Sequence, residues 1–230
     1  MPDRLLLRCG AVAAVAGALA QLAATLLEPN VSSDPHRAVR TVAQSGVWQW
    51  SRAIDLIGAL LTVGGLAVAG RTITRPPGRT WASTGEPFLI LMGAIGIGAV
   101  LTGADMKNMA DAWSSAAPTM KSSYVAAYDS ASNLKDDLFF GAFLALSLYA
   151  ASLATAILRS DSPFPRWNGW TLLASAALIL TSNFSLLVVD AAFVGLLLGF
   201  LLFLLVVVAI GTSMWRGSSR RGWGEPSANP

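Results

Sequence analysis

Long apolar stretches alternate with short polar ones along this chain, and the apolar stretches share a length near twenty residues. Six are visible, at about 5–27, 47–70, 88–105, 137–158, 167–189 and 191–215. Crossing roughly 30 Å of hydrocarbon at about 1.5 Å per helical residue takes about 20 apolar residues, so each qualifies as a bilayer span. The last two are almost continuous, with Asp190 as the strong break. One helix through both would measure about 70 Å, far beyond a bilayer, so a helical hairpin at Asp190 is expected. The pattern predicts an all-α polytopic membrane protein. Residues 1–215 form a single six-transmembrane-helix bundle, and 216–230 ("RGSSRRGWGEPSANP") form a disordered cytoplasmic tail.

The connections differ in kind. "RTITRPPGRTWASTGEP" and "RSDSPFPR" are short and rich in Pro and Gly, which marks connectors. Residues 28–46 and 106–136 are longer. Within the second, Met120, Tyr124, Ala127 and Tyr128 fall at helical spacing, predicting a short amphipathic helix in the outer loop between the third and fourth spans. The opening "MPDRLLLR" followed by Ala18-Leu19-Ala20 resembles a signal peptide with its cleavage site, but apolar residues run on to Leu27. An uncleaved first span is the expectation.

Composition agrees with the pattern. Hydrophobic residues make up 54% of the 230 and charged ones only 13%, against roughly 25% charged in soluble domains. The net charge of +3 is explained by topology and not by nucleic-acid binding, because the positive residues segregate. With the N-terminus inside, Arg4, Arg8, Arg71, Arg75, Arg79, Arg159, Arg166, Arg216, Arg220 and Arg221 lie on the inner side. Arg37, Arg40, Arg52, Lys107, Lys121 and Lys135 lie outside. Ten against six predicts an N-in, C-in arrangement. Nine of the thirteen acids, from Glu28 to Asp190, fall on or near the outer side.

Depth singles out a few polar residues. The second span runs inward from Trp48 and Trp50, a pair suited to the outer interface, to Arg71. Asp55, seven residues below Trp48, is roughly 10 Å down. A carboxylate there must face the bundle and hold a partner, and Arg52, three residues earlier, is the expected one. Gln21 lies about 20 Å above Arg8, and Asn183 stands in the outer half of the fifth span beside Thr181, Ser182 and Ser185. Asp105 falls at the outer boundary, and Lys107, Asn108 and Asp111 lie beyond it, where a Lys107–Asp111 pair one turn apart suits a helix continuing into water. The inner halves carry nothing comparable. The polar interior is one-sided.

Familiar chemistry is missing. His36 is the only histidine and Cys9 the only cysteine, which leaves no bis-histidine haem, no multi-histidine zinc site and no disulfide framework. No cofactor is expected. Glu28, Asp105, Asp136 and Asp137 could offer oxygens to a hard cation, but no EF-hand spacing links them. "NLKDD" reads instead as the first turn of the fourth span, with acids at the positive end of its dipole. "GAIGIG" lies mid-span and lacks the spacing of a dinucleotide loop. Ala94/Gly98, Ala99/Gly103 and Gly195/Gly199 are small-xxx-small pairs that predict close helix packing, within the bundle or between protomers.

The stretches "SDPHRAVRTVAQSGVWQWSRAIDLIGALL" and "PFPRWNGWTLLASAALIL" give the chain a resemblance to six-span membrane proteins common in actinobacteria. That resemblance implies a multi-pass protein of a bacterial plasma membrane, and no particular activity. The leading expectation is a binding or accessory protein whose partner is the bilayer, with a possible second copy or membrane-protein partner. In it, Arg52 and Asp55 orient a small amphiphile, lipid headgroup or partner helix in an outward-facing pocket. Gln21, Asp105 and Asn183 add polar contacts, and Trp48 and Trp50 close the rim. The alternatives are a membrane enzyme with Asp55 or Asp105 as general base on a lipid headgroup, and a small-molecule transporter.

Overall fold

The structure, a computed structural model, describes residues 4–186 and 192–219. The expected turn at Asp190 and the tail from 220 onward lie outside the described residues. Seven α-helices account for most of the rest: α1 (Arg4–Leu27), α2 (Pro35–Gln44), α3 (Trp48–Arg71), α4 (Gly78–Ser115), α5 (Lys121–Leu158), α6 (Arg166–Ser185) and α7 (Ala192–Ser218). No strand occurs among the described residues. Five helices are long and apolar enough to cross a membrane: α1, α3, α4, α5 with the 3-10 turn before it, and α7. Large apolar side chains such as Leu26, Ile57, Ile90, Val194 and Leu205 stand exposed around the outside, a surface that only lipid suits. This is a multi-pass membrane protein.

The six long helices pack as a closed ring. Each touches the next in chain order, α1 against α3, then α4, α5, α6 and α7, and α7 returns to α1. α6 is the least apolar of the six because Asn168, Ser175, Ser182 and Asn183 lie along it, and all four are buried towards its neighbours. Its Ser175 Oγ donates to the Gly199 carbonyl of α7 at 2.7 Å.

α1 and α3 approach most closely, and glycine permits it. A Cβ on Gly65 would stand 2.7 Å from Ala14 Cα, and one on Gly58 would stand 2.9 Å from the Gln21 nitrogen. A Cβ on Gly17 would meet Thr62, so the seam repeats every seven residues on both helices (Gly10 and Gly17, Gly58 and Gly65). The predicted packing pairs fare unevenly. Gly195 and Gly199 do sit against α6, at Ser182 and Ile179. Ala99 is buried and Gly103 faces Arg52. Ala94 is exposed, and a Cβ on Gly98 would meet only Leu138, at 3.7 Å. Ala94/Gly98 is therefore not a contact within this chain.

Several predicted boundaries need correction. α4 and α5 are each 38 residues long, about 57 Å, so both extend well past a span. The third span was expected to begin after Pro87, yet α4 runs through it; transmembrane helices tolerate proline where neighbouring groups compensate its lost hydrogen bond. The short amphipathic helix expected around Met120–Tyr128 is not separate, because no Gly or Pro interrupts residues 121–137 and the helix continues into the span. α7 likewise runs through Arg216 to Ser218, into what was read as tail.

The projecting ends of α4 and α5 carry a second, smaller core. α2, which was read as loop, lies on them with Ala38, Val39 and Val42 buried against Met106, Ala110, Val125, Tyr128 and Ala131. Asp34 caps α2, accepting from the His36 and Arg37 amides at 2.8 and 3.3 Å, and Pro35 occupies the first turn. Lys107 pairs with Asp111 as expected, and its Nζ also donates to the Ala43 carbonyl at 3.1 Å, closing the last turn of α2.

Glycine at position 65 is required by contact and at 64 it is not, since a Cβ there meets nothing within 4 Å. Gly65→Val is expected to lower stability by about 1–3 kcal/mol, read as the denaturation midpoint of the detergent-solubilised protein. Gly64→Ala is expected to leave that midpoint unchanged or raise it. Equal midpoints for the two variants would contradict the seam.

Candidate functional site

A cavity of about 920 Å³ occupies the centre of the ring. Helical periodicity supplies its walls. On α1 the lining residues are Gln21, Thr25 and Glu28, spaced by four and three. On α3 they are Arg52, Asp55, Ala59, Thr62 and Val63, one face of a helix over eleven residues, or about 16 Å of depth. α4 adds Met92, Gly93 and Gly96, and α5 lines it from Lys135 to Leu146. α6 contributes Asn183 and α7 a stripe from Phe193 to Phe203.

The two ends of the cavity differ chemically. Glu28, Arg52, Asp55, Lys135, Asp136 and Asp137 gather where α1 ends and α3 begins, and Asp136 and Asp137 are exposed, so this end reaches the surface. Six of the nine phenylalanines line the wall, and all but Phe193 lie deeper in. Phe143 meets Phe200 edge to face at 5.7 Å and stacks on Phe139 at 6.2 Å. Beneath Val63, Leu146 and Phe203 the bundle is filled by Leu66, Tyr149, Ala150 and Val207, all buried. Tyr149 donates its hydroxyl to the Leu66 carbonyl at 3.4 Å. The far end is closed.

Arg52 is the most constrained charge. Its side chain is 5% exposed, it forms an ion pair with Glu28 at the end of α1, and its guanidinium lies 4.9 Å from the Trp48 ring centroid. Glycine at 103 leaves room for it, since a Cβ there would stand 3.2 Å from Arg52 Cδ. Trp48, itself 1% exposed, donates from Nε1 to the Gly103 carbonyl at 2.7 Å. The expected pairing of Arg52 with Asp55 is thus replaced. Three residues of helix put the two on one face, but Glu28 closes on Arg52 from another helix, and Arg52 acts on Asp55 only as a nearby charge. Lys135 stands 3.6 Å from Asp136. Asp55 and Asp137 have no ion pair among the described residues.

Of the seven pocket residues expected from sequence, Gln21, Arg52, Asp55 and Asn183 converge on the cavity. Gln21 accepts from Thr62 Oγ1 at 3.2 Å, and Asn183 Nδ2 donates to the Phe140 carbonyl at 3.0 Å. The other three do not line it. Trp48 is buried in the smaller core under Arg52, Trp50 is 70% exposed, and Asp105 is exposed on α4 away from the wall. Of the residues considered for a cation, Glu28, Asp136 and Asp137 reach the cavity and Asp105 does not. Among the described residues no three His, Cys, Asp or Glu side chains group closely enough to hold a metal ion. The phenylalanine stripe was missed. Phe193, Leu196, Leu197 and Phe200 recur at helical spacing on α7, but in a helix apolar all round no such stripe stands out.

Removing one member of the Arg52–Glu28 pair should hurt more than removing both. Glu28→Gln leaves a cation out of water without its counter-ion and is expected to cost about 2–3 kcal/mol. The double variant Arg52→Met/Glu28→Gln is expected to recover most of that loss in a double-mutant cycle on the denaturation midpoint. Simple additivity would mean that the pair carries no coupling.

No family model, no curated protein and no solved structure matches this chain, so its functional reading is built on this geometry.

Proposed function

We propose that this chain is a six-span protein of a bacterial plasma membrane, of the actinobacterial kind it resembles, with both termini inside and a cavity open to the outside that binds a small amphiphile. The cavity itself is the observation that carries the reading. Ligand pockets run to about 300–1,000 Å³ and combine a mostly apolar wall with a few placed polar groups, and 920 Å³ with charge at one end and phenylalanine at the other fits that description. A polar head would sit among Glu28, Arg52 and Lys135, and an apolar chain would run down past Phe143 towards Phe203.

Length supports α6 as the sixth span, since its 20 residues make about 30 Å of helix, the thickness of the hydrocarbon. Charge supports the orientation. Arg4, Arg8, Arg71, Arg75, Arg79, Arg159, Arg166 and Arg216 lie at the closed end, against Arg37, Arg40, Arg52, Lys107, Lys121 and Lys135 at the cavity end. The closed floor favours a binding protein over a carrier, which needs a route to both sides. The enzyme alternative retains Asp55 in the wall and loses Asp105, which is exposed elsewhere. The Gly195/Gly199 pair is occupied within the bundle by α6, so it lends no support to a second copy.

Filling the cavity should abolish binding without unfolding the protein. Ala59→Trp, in the middle of the α3 wall, is expected to abolish uptake of the uncharged dye N-phenyl-1-naphthylamine while the denaturation midpoint holds. Undiminished dye uptake would move binding elsewhere. The orientation has its own check on a Cys9→Ser background. A membrane-impermeant maleimide added to intact cells should label Ser130→Cys at the cap and spare Thr80→Cys at the start of α4, both exposed positions, and the reverse pattern would invert the topology.

A further inference from the structure

The charges at the cavity mouth do not cancel, and the imbalance says which head group the cavity takes. Four carboxylates line it, Glu28, Asp55, Asp136 and Asp137, against two cations, Arg52 and Lys135. Both cations are already engaged. Arg52 pairs with Glu28 and lies over the Trp48 ring, and Lys135 pairs with Asp136. Asp55 and Asp137 remain without an ion pair among the described residues. Asp55 stands about one turn below Arg52 on α3, and Asp137 stands just above Phe139 and Phe140 on α5.

We propose that the amphiphile is a cation, a single-chain amine or quaternary ammonium whose head lies between Asp55 and Asp137. This inference rests on the cavity being a binding site and adds the sign of its ligand's charge. An anionic head would enter a region where the available cations are already neutralised and two carboxylates remain to repel it. A cationic head supplies the counter-charge that Asp55 lacks, at a depth where an unneutralised carboxylate is costly. Directly below, the rings of Phe139, Phe140 and Phe143 offer faces of negative quadrupole, to which an organic cation is attracted within about 6 Å. Below these, Phe200 and Phe203 form an apolar slot for the chain, and Phe193 stands higher, at the start of α7. Arg52, held by Glu28 and Trp48, is engaged elsewhere and leaves Asp55 without an ion pair.

The test is competition on the full-length purified protein carrying N-phenyl-1-naphthylamine, with three competitors of equal chain length: dodecyltrimethylammonium, dodecyl maltoside and dodecyl sulfate. The cation is expected to displace the dye at a concentration roughly tenfold below that of the maltoside, with the sulfate weakest. In Asp55→Asn/Asp137→Asn, with each competitor referred to that variant's own dye affinity, the three competitors should converge to within about twofold of one another. If that variant does not fold, Asp137→Asn alone, at an exposed position, must reduce the preference for the cation. Equal displacement by cation and sulfate from the wild-type protein overturns the charge assignment and leaves the cavity standing as a binding site. Dye uptake that is absent from the wild type, or unaffected by Ala59→Trp, overturns the cavity reading itself and this inference with it.

Discussion

A guanidinium held out of water is costly unless it is paired, and three helices close around Arg52, whose Nε is nonetheless buried without a hydrogen-bond partner. Glu28 comes from the end of α1, the Trp48 ring from the turn of α3 just before it, and the open face of Gly103 from α4. A buried charge stripped of its partner is penalised by several kcal/mol, so these elements cannot separate without exposing the penalty. The same residue lies where the membrane ring meets its cap, because Trp48 belongs to the smaller hydrophobic core that α2 completes. One interaction therefore fixes the mouth of the cavity and the footing of the cap.

From that junction the bundle changes character with depth. Around the mouth the walls are charged. Below it they are aromatic, and beyond Phe203 the space is filled. The α1–α3 seam explains why the void is central and not peripheral. Glycines at 17, 58 and 65 draw those two helices to backbone contact, and Gly195 and Gly199 do the same for α6 and α7. Adjacent helices thus meet through small residues, while the large side chains of α5 and α7 point to the middle, where six surrounding helices leave more room than phenylalanine fills.

The sequence disclosed spans more readily than contacts. Hydropathy located the apolar helices to within a few residues, because exclusion of polar groups from hydrocarbon acts on each residue separately. It misjudged both ends of α4 and the start of α5, because a helix begins and ends at a breaker or a cap and not where the bilayer does, and residues 121–137 contain neither. α2 did announce itself through Asp34 at the cap and Pro35 in the first turn, a signal that its low hydrophobicity concealed. Asp55 lines the cavity wall, but the expected Arg52–Asp55 pair does not form. Spacing along one helix favours an Arg52–Asp55 pair, whereas the carboxylate that takes Arg52 is Glu28, 24 positions away at the end of another helix. The helix seams show the same limit, since a four-residue spacing of small residues was sought and the α1–α3 contact repeats every seven.

The cap gives the mouth a consequence beyond its own chemistry. Trp48 Nε1 holds the Gly103 carbonyl, Met106 lies one turn further along α4 in the smaller core, and Ala131 lies one turn before Lys135 on α5 in that same core. α5, which presents Lys135 to the cavity, is thus one of the two helices that carry α2, and Trp48 ties α3, which presents Arg52, to the other, α4. The cap and the mouth therefore share Trp48 and α5, whereas the closed end is packed separately around Tyr149 and Leu66.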